Sequence, residues 1–257
     1  MHSFPRLLLA LLGLLAAAPA ALAASASDPV YELRTYTTHP GRLDALLARF
    51  RDHTLKLFEK HGMVNVGYWR PADAKDGADV TLIYLLEHRS REAAKASWKA
   101  FGSDPQWQAA RNQSEESGKI VAKVESVFLS PTDFSKMMTA GNGKGAPRLF
   151  ELRTYVAPPG KLAELDARFR NHTLGLFAKH GITNLGYFHP TDADKGAGST
   201  LIYFIAHAGP DAAAASWKAF REDSGWMKAR TESEKNGKLT AKVTSVYLKP
   251  VDFSKIK

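Results

Sequence analysis

The chain has 257 residues, of which 44% are hydrophobic and 24% charged, a composition typical of a globular protein that excludes an intrinsically disordered one. Its formal net charge is +9, but the lysines and arginines are scattered among acidic residues and no nucleic-acid-binding motif accompanies them. Because the positive charge is scattered and no binding motif accompanies it, we expect no nucleic-acid partner. There is no cysteine, so each domain must be stabilised by its core without disulfides.

Residues 1–23 have the pattern of a cleavable signal peptide. A single charge, Arg6, precedes an apolar run at 7–15, and Ala21 and Ala23 satisfy the small-x-small rule for signal peptidase. The apolar run is too short to span a bilayer comfortably, and no cysteine follows it that could carry a lipid. We expect cleavage after Ala23, a periplasmic or secreted product, and no integral membrane segment in the mature protein.

The strongest signal in the sequence is an internal repeat. Residues 31–136 align with residues 150–255 at a constant offset of 119 without a gap, and 61 of the 106 aligned positions are identical. A glycine-rich segment separates the two copies. We predict two domains, 30–136 and 149–255, joined by a flexible linker at 137–148.

The hydrophobic pattern of the first copy predicts the element order βαββαβ. Strands are expected at 30–37, 64–69, 81–87 and 122–129, where β-branched and aromatic residues are frequent. A helix is expected at 42–61, closed by Gly62. Another is expected at 91–101, with a further helical piece capped by Asp104 and running to about residue 117. This order is that of a ferredoxin-like module.

Differences between the copies orient the first helix. Four positions that change between copies lie on one face, which indicates that this face is solvated. We expect the opposite stripe to be buried, and it contains Leu43, Leu46, Phe50, His53, Leu57 and His61.

Four motifs in fixed order resemble the NIPSNAP domain. They are Tyr-Glu-Leu-Arg-Thr-Tyr at 31–36, Pro-Gly-Arg-Leu at 40–43, Phe-Glu-Lys-His-Gly at 58–62 and Gly-Tyr-Trp at 67–69, and closely similar motifs recur in the second copy. The resemblance implies the dimeric α/β-barrel fold, in which two four-stranded sheets meet face to face and helices cover the outside. Relatives with that fold include cofactor-independent monooxygenases, haem-degrading enzymes and chlorite dismutase-like haem proteins. NIPSNAP members themselves have no agreed enzymatic activity.

The repeat supports such a barrel independently. A four-stranded sheet with helices on one face leaves its other face exposed, and a tethered second copy can cover it. We therefore expect an α+β protein of two tandem ferredoxin-like modules that form an intramolecular pseudo-dimeric α/β barrel, and further oligomerisation stays open. If Tyr31 and Leu33 of the first strand face the helices, then Glu32, Arg34 and Tyr36 face the partner sheet.

His53 and its counterpart His172 are the candidate catalytic residues. A buried imidazole could act as an acid, a base or a metal ligand, or it could be a core histidine bonded to the sheet. His61 is expected to cap the helix C-terminus. It lies eight residues after His53, which is about 80° around the helix and unlike the i, i+4 spacing of a helical metal site. We therefore predict no metal site, and haem enters only as an alternative implied by the resemblance.

The strand arginines and the aromatic residues suggest a ligand pocket between sheet and helices. Each strand arginine needs an anionic partner. That partner is either a ligand anion or a glutamate, and since a glutamate lies on the same strand face as each arginine, the two residue types could pair across the barrel. The aromatic residues of the second helical region form either a core or a wall for a planar ligand. The candidate pocket residues of the two copies are Arg34, Tyr36, Tyr68, Trp98, Trp107, Arg111, Arg153, Tyr155, Tyr187, Trp217, Trp226 and Arg230.

Three functions remain open at this level. The favoured one is binding of a small apolar or aromatic ligand between sheet and helices. The second is a cofactor-free or haem-dependent oxidoreductase, and the third is a non-catalytic protein-interaction module. The sequence contains no phosphate-binding loop, zinc constellation or nucleophile elbow that would point to another chemistry.

Overall fold

The computed structural model describes residues 29–136, 138 and 148–257. The predicted signal peptide and most of the predicted linker lie outside these residues. The first copy contributes strands β1 (Val30–Thr38), β2 (Val64–Pro71), β3 (Thr81–His88) and β4 (Val121–Pro131). The second copy contributes β5 (Leu149–Val156), β6 (Thr183–Pro190), β7 (Thr200–His207) and β8 (Lys242–Pro250).

The first helical region of each copy consists of two short α-helices joined by a π-helical turn. These are α1 (Leu43–Arg49), the turn Phe50–Thr54 and α2 (Leu55–Lys60), then α5 (Leu162–Arg168), the turn Phe169–Thr173 and α6 (Leu174–Lys179). The second helical regions are α3 (Arg91–Gly102), α4 (Pro105–Ser114), α7 (Pro210–Glu222) and α8 (Ser224–Ser233). Short 3₁₀ turns lie at Ala74–Asp76 and Ala193–Lys195. The predicted order βαββαβ is confirmed in both copies.

The eight strands form one closed barrel in the order β1-β3-β2-β8-β5-β7-β6-β4, and neighbouring strands are antiparallel. Pairing within a copy is long, whereas the two seams between copies are short. At one seam Trp69–Pro71 pairs with Leu248–Pro250, and at the other Leu129–Pro131 pairs with Phe188–Pro190. The predicted pseudo-dimeric α/β barrel is confirmed, and its two sheets merge into a single cylinder.

Side chains from both copies fill the barrel interior. Trp69 is completely buried, and its ring centroid lies 5.6 Å from that of Phe150 and 5.2 Å from that of Phe204. At the pseudo-symmetric position Tyr31 packs on Phe188 with 5.0 Å between centroids. Neither copy alone can bury these aromatic rings, so the copies share one core.

The strand orientation considered from the sequence is wrong. Tyr31 and Leu33 point into the barrel, and Glu32, Arg34 and Tyr36 lie beneath the helices. The physical reason is hydrogen bonding. The helix side offers polar partners to the Glu32 carboxylate, whereas the interior is lined by apolar and aromatic side chains, and a buried charge needs such partners.

The expected burial of His53 is also wrong. The π-helical turn adds one residue to the helical repeat, so Thr54 takes the buried position and His53 is exposed, as is His172 in the second copy. The Thr54 hydroxyl donates to the carbonyl oxygen of Arg49 at 3.1 Å, across the widened turn. His61 remains half-buried, and its Nε2 lies 2.7 Å from Oδ2 of Asp104, the residue that caps α4.

No helix within the described residues is long and apolar enough to cross a membrane.

Candidate functional site: a cleft above a buried glutamate

Glu32 is the centre of a buried polar network on the helix side of the sheet, and it is only 1% exposed. Its Oε1 accepts hydrogen bonds from Arg34 Nη1 at 2.5 Å and Ser126 Oγ at 2.6 Å. Its Oε2 accepts from Trp98 Nε1 at 2.7 Å and is 3.0 Å from His88 Nε2. These four partners account for the full acceptor capacity of the carboxylate.

The strand register explains why these side chains meet. β1 lies between β3 and β4, and Glu32 is opposite Leu86 on β3 and Phe128 on β4. His88 and Ser126 each lie two positions from those residues and therefore on the same face of the sheet as Glu32. Trp98 reaches the carboxylate from α3 above.

The network keeps Glu32 ionised. Burial by itself would raise the pKa of its carboxyl, but the hydrogen bond from His88, the charge of Arg34 and the bonds from Ser126 and Trp98 outweigh burial and hold the pKa at about 2. Burial also opposes the charge on Arg34, yet neighbouring phenols and Glu32 raise its guanidinium pKa. The result is a buried, charge-balanced pair.

Arg34 and Trp98 form the floor of an open cleft. The guanidinium carbon of Arg34 lies 4.2 Å from the Trp98 ring centroid, and Nη2 is 3.3 Å from the Tyr36 hydroxyl. The Arg34 side chain retains 14% exposure. Both side chains are therefore held in place by bonds to Glu32 while they still border solvent.

The cleft itself has a volume of about 570 Å³. Arg91, at the start of α3, lies over the Phe128 ring with its guanidinium carbon 3.7 Å from the centroid, and it pairs with Asp192 of the second copy through two contacts of 3.1 Å. One residue of the rim is thus ion-paired across the junction of the copies. The residues that line it are Glu32, Arg34, Arg91, Glu92, Lys95, Trp98, Ser126 and Phe128.

The second copy repeats the network. Glu151 accepts from Arg153 and Ser245, its Oε2 is 2.8 Å from Trp217 Nε1 and 3.1 Å from His207 Nε2, and its pKa is again held at about 2 against the effect of burial. A second cleft of about 250 Å³ lies beside α7, and its lining does not include Glu151, Arg153, Trp217 or Ser245. It is lined by Ala72, Asp73, Leu149, Pro210, Ala214, Tyr247 and Lys249.

The structure brings three of the predicted pocket residues of each copy together: Arg34, Tyr36 and Trp98 in the first, with Arg153, Tyr155 and Trp217 in the second. Tyr68 and Tyr187 instead lie fully inside the layer between sheet and helices. Their rings stack on Tyr84 and Tyr203 with centroids 5.3 and 5.1 Å apart.

The remaining predicted pocket residues lie around α4 and α8. Trp107 packs on Phe101 with ring centroids 4.4 Å apart, and Trp226 packs on Phe220 at 4.5 Å. Arg111 is exposed, with its Nε 3.4 Å from Glu115, and Arg230 repeats this with Glu234 at 3.3 Å. Of the two interpretations of these aromatic residues, the geometry fits a core, and an exposed Arg–Glu pair lies beside it in each copy.

Neither of the candidate catalytic histidines faces the cleft. His53 lies in a surface groove of about 390 Å³ beside Asp52, Lys56 and Gln113, and His172 lies in a groove of about 380 Å³ between the first and second helical regions of its own copy. The imidazoles of His88 and His207 have no exposed side-chain surface and are engaged with glutamates. These histidines therefore do not fit the role of a haem ligand facing the cleft.

The described residues contain no group of three or more histidine, aspartate or glutamate side chains that could hold a metal ion.

Two of the predicted pocket residues line the first cleft, Arg34 and Trp98, and the prediction missed Glu32, Arg91, Glu92, Lys95, Ser126 and Phe128. It also missed His88, which does not line the cleft but holds Glu32. His88 and Ser126 are identical in both copies, but so are more than half of the aligned positions, and identity therefore did not single them out. Lys95 could have been noticed because its position carries alanine in the second copy.

A closed antiparallel barrel of eight strands with helices outside places this chain among the dimeric α/β-barrel proteins, here with both halves in one polypeptide. The NIPSNAP family model matches residues 31–136 and 150–255. The chain therefore belongs to the NIPSNAP family, as its motifs indicated.

Solved structures with the same fold cover both copies. A putative monooxygenase from Fusobacterium nucleatum has a TM-score of 0.56 at 12% identity, over 90% of this chain and 99% of that one. A putative monooxygenase from Lactobacillus acidophilus has a TM-score of 0.52 at 11% identity, over 86% and 93%. An anthrone oxidase-like protein has a TM-score of 0.53 at 14% identity, over 90% and 95%. At these identities the likeness shows the fold alone. No curated protein sequence matches the chain.

Proposed function

We propose that the protein binds small organic molecules in the cleft beside Glu32 and in the smaller cleft lined by Pro210 and Ala214. The observation that carries this proposal is an open cleft of about 570 Å³ whose floor is a tryptophan and an arginine fixed by a saturated carboxylate. That volume falls within the range of small-molecule sites, which combine apolar walls with a few fixed polar groups. Trp98 and Phe128 supply apolar surface, and Arg34 and Ser126 supply the polar groups.

The floor is preorganised, which favours binding. Trp98 is held by its N–H bond to Glu32 and by the guanidinium of Arg34 against its ring. Because a ligand need not order these side chains, less of its binding free energy is spent on restricting rotamers. His88 and Ser126 contribute indirectly by holding the carboxylate in place.

Titration with the neutral fluorescent dye N-phenyl-1-naphthylamine tests the proposal. Wild-type protein should bind the dye, and Phe128→Ala should weaken binding about fivefold, because one apolar wall is lost. Val124→Ala serves as a matched control, since Val124 lies on the same strand, is 46% exposed and does not line the cleft. Absence of dye binding by the wild type would contradict the proposal and favour the protein-interaction alternative.

An oxidoreductase activity is the second candidate, favoured by the similarity to proteins described as putative monooxygenases and as anthrone oxidase-like. Glu32 is a poor general base in such a reaction, because its pKa of about 2 and its four hydrogen bonds stabilise the carboxylate. An oxygen electrode with anthrone as substrate tests this candidate. Protein-dependent oxygen uptake, lost in the Trp98→Ala, Trp217→Ala double variant, would support it.

We also propose that the mature protein is exported. The support is the sequence pattern of residues 1–23 described above, with Ala21 and Ala23 before the expected cleavage site. Mass spectrometry of protein expressed in a bacterial host with its natural N-terminus should give a periplasmic product that begins at Ala24. A cytoplasmic product that retains Met1 would contradict export.

A further inference from the structure

Three corresponding positions line both clefts, namely those of Arg91, Lys95 and Phe128 in the first copy and of Pro210, Ala214 and Tyr247 in the second. The positions of Arg91 and Lys95 on α3 are occupied by Pro210 and Ala214 on α7, at the constant offset between the copies. The rim of the first cleft therefore carries two cations that the second lacks. Such a difference is informative because the buried network beneath is the same in both copies.

Most charges of the first cleft are already balanced. Glu32 is paired with Arg34, and Arg91 is paired with Asp192. Glu92 has no ion pair among the described residues; it is exposed, and its carboxylate is stabilised by hydrogen bonds to Ser90 and to the backbone at the start of α3.

Among the described cations that line the first cleft, Lys95 is the one without an ion pair. It is exposed and lies one helical turn before Trp98, on the side of α3 that borders the cleft. Its ammonium makes no hydrogen bond or ion pair with another residue in the described part of the chain. Among the described residues that line the second cleft, the charged ones are Asp73 and Lys249, which are opposite in sign.

We infer that the first cleft selects organic anions, namely a carboxylate or sulfonate attached to an apolar ring, and that Lys95 determines this specificity. The inference rests on the proposed function, because it assigns a ligand class to the same cleft. The apolar part of the ligand contacts Trp98 and Phe128, and its anionic group pairs with Lys95. The second cleft, which has Ala214 at this position, takes neutral ligands.

Two dyes that share a ring system but differ in charge test the inference. These are the anion 1-anilinonaphthalene-8-sulfonate and the neutral N-phenyl-1-naphthylamine. Lys95→Ala should weaken binding of the anion about fivefold, since one ion pair near the surface is lost. It should change binding of the neutral dye less than about twofold. The reciprocal change Ala214→Lys should create a second strong site for the anion.

Lys99→Ala is the matched control, because Lys99 is exposed on the same helix and does not line the cleft. It removes the same net charge and should leave both affinities unchanged. The inference would be overturned by an equal loss of anion binding in Lys95→Ala and Lys99→Ala, or by no loss in either. In both cases the proposed function would still stand if the neutral dye binds. Failure of both dyes to bind would contradict the proposed function itself, and the inference with it.

Discussion

The Nε2 atom of His88 lies 3.0 Å from the Oε2 atom of Glu32, and both side chains are at most 1% exposed. Nδ1 of the same ring is buried and has no hydrogen-bond partner among the described residues. Because Glu32 is ionised and can only accept, Nε2 carries the proton and donates it to the carboxylate. His207 and Glu151 repeat this arrangement at 3.1 Å.

Glu32→Gln should lower the free energy of unfolding by about 3–5 kcal/mol, because it leaves the guanidinium of Arg34 beneath the helices without a counter-ion. Equilibrium unfolding in urea measures the change. Glu125→Gln, on exposed surface of β4, is the control and should stay within about 0.5 kcal/mol of wild type. Equal effects of the two substitutions would show that the buried pair is not a major source of stability.

Stability should fall in acid. The pKa of Glu32 is lowered from 4.5 to about 2 in the folded protein, so the unfolded chain takes up the proton more readily. This contribution, about 3 kcal/mol, is therefore present above pH 4.5 and is lost as the pH falls towards 2. Urea unfolding at pH 5 and at pH 2.5 should show a smaller loss for Glu32→Gln than for wild type. Identical losses would contradict the lowered pKa.

An isolated first copy, residues 29–136, should form a homodimer. Alone, it would expose the rings of Tyr31 and Trp69, which in the full chain pack on Phe188, Phe150 and Phe204. Sedimentation equilibrium should give twice the mass of the single copy. Trp69→Glu in the same fragment should abolish association, and a folded monomer of the unsubstituted fragment would contradict the shared core.

Two glycine substitutions should have opposite effects. A Cβ at Gly67 would overlap the Trp69 ring inside the barrel, so Gly67→Ala should cost about 1–3 kcal/mol. A Cβ at Gly175, within α6, meets no atom within 4 Å. Gly175→Ala should therefore stabilise the protein by up to about 1 kcal/mol through helix propensity. Calorimetric melting temperatures, which should move in opposite directions, check this.

The architecture could be predicted because the repeat and the strand periodicity are strong signals. The face that β1 turns to the barrel could not, since both faces of the sheet are covered and the alternation along β1 does not say which layer lies on which side. The sequence alone therefore fits either placement of Tyr31 and Leu33. The orientation is decided by the partners of Glu32 that are distant in sequence, His88, Trp98 and Ser126, which come from 56 to 94 positions away.

The candidate site was predicted in part. Arg34 stood out because a strand arginine needs an anionic partner, and Trp98 because it belongs to the aromatic residues of the second helical region. His53 was placed on the buried stripe because the prediction assumed 3.6 residues per turn throughout the helix. The π-helical turn at Phe50–Thr54 breaks that period, and it has no reliable sequence signature.

The covalent joining of the two copies has an evolutionary consequence. In a homodimer every substitution appears twice, so both clefts must change together and neither can specialise while the other keeps its role. With both halves encoded in one chain, the position of Lys95 can carry a cation while Ala214 stays uncharged. Duplication thus frees each half to diverge. The buried networks around Glu32 and Glu151, by contrast, have stayed the same in both halves.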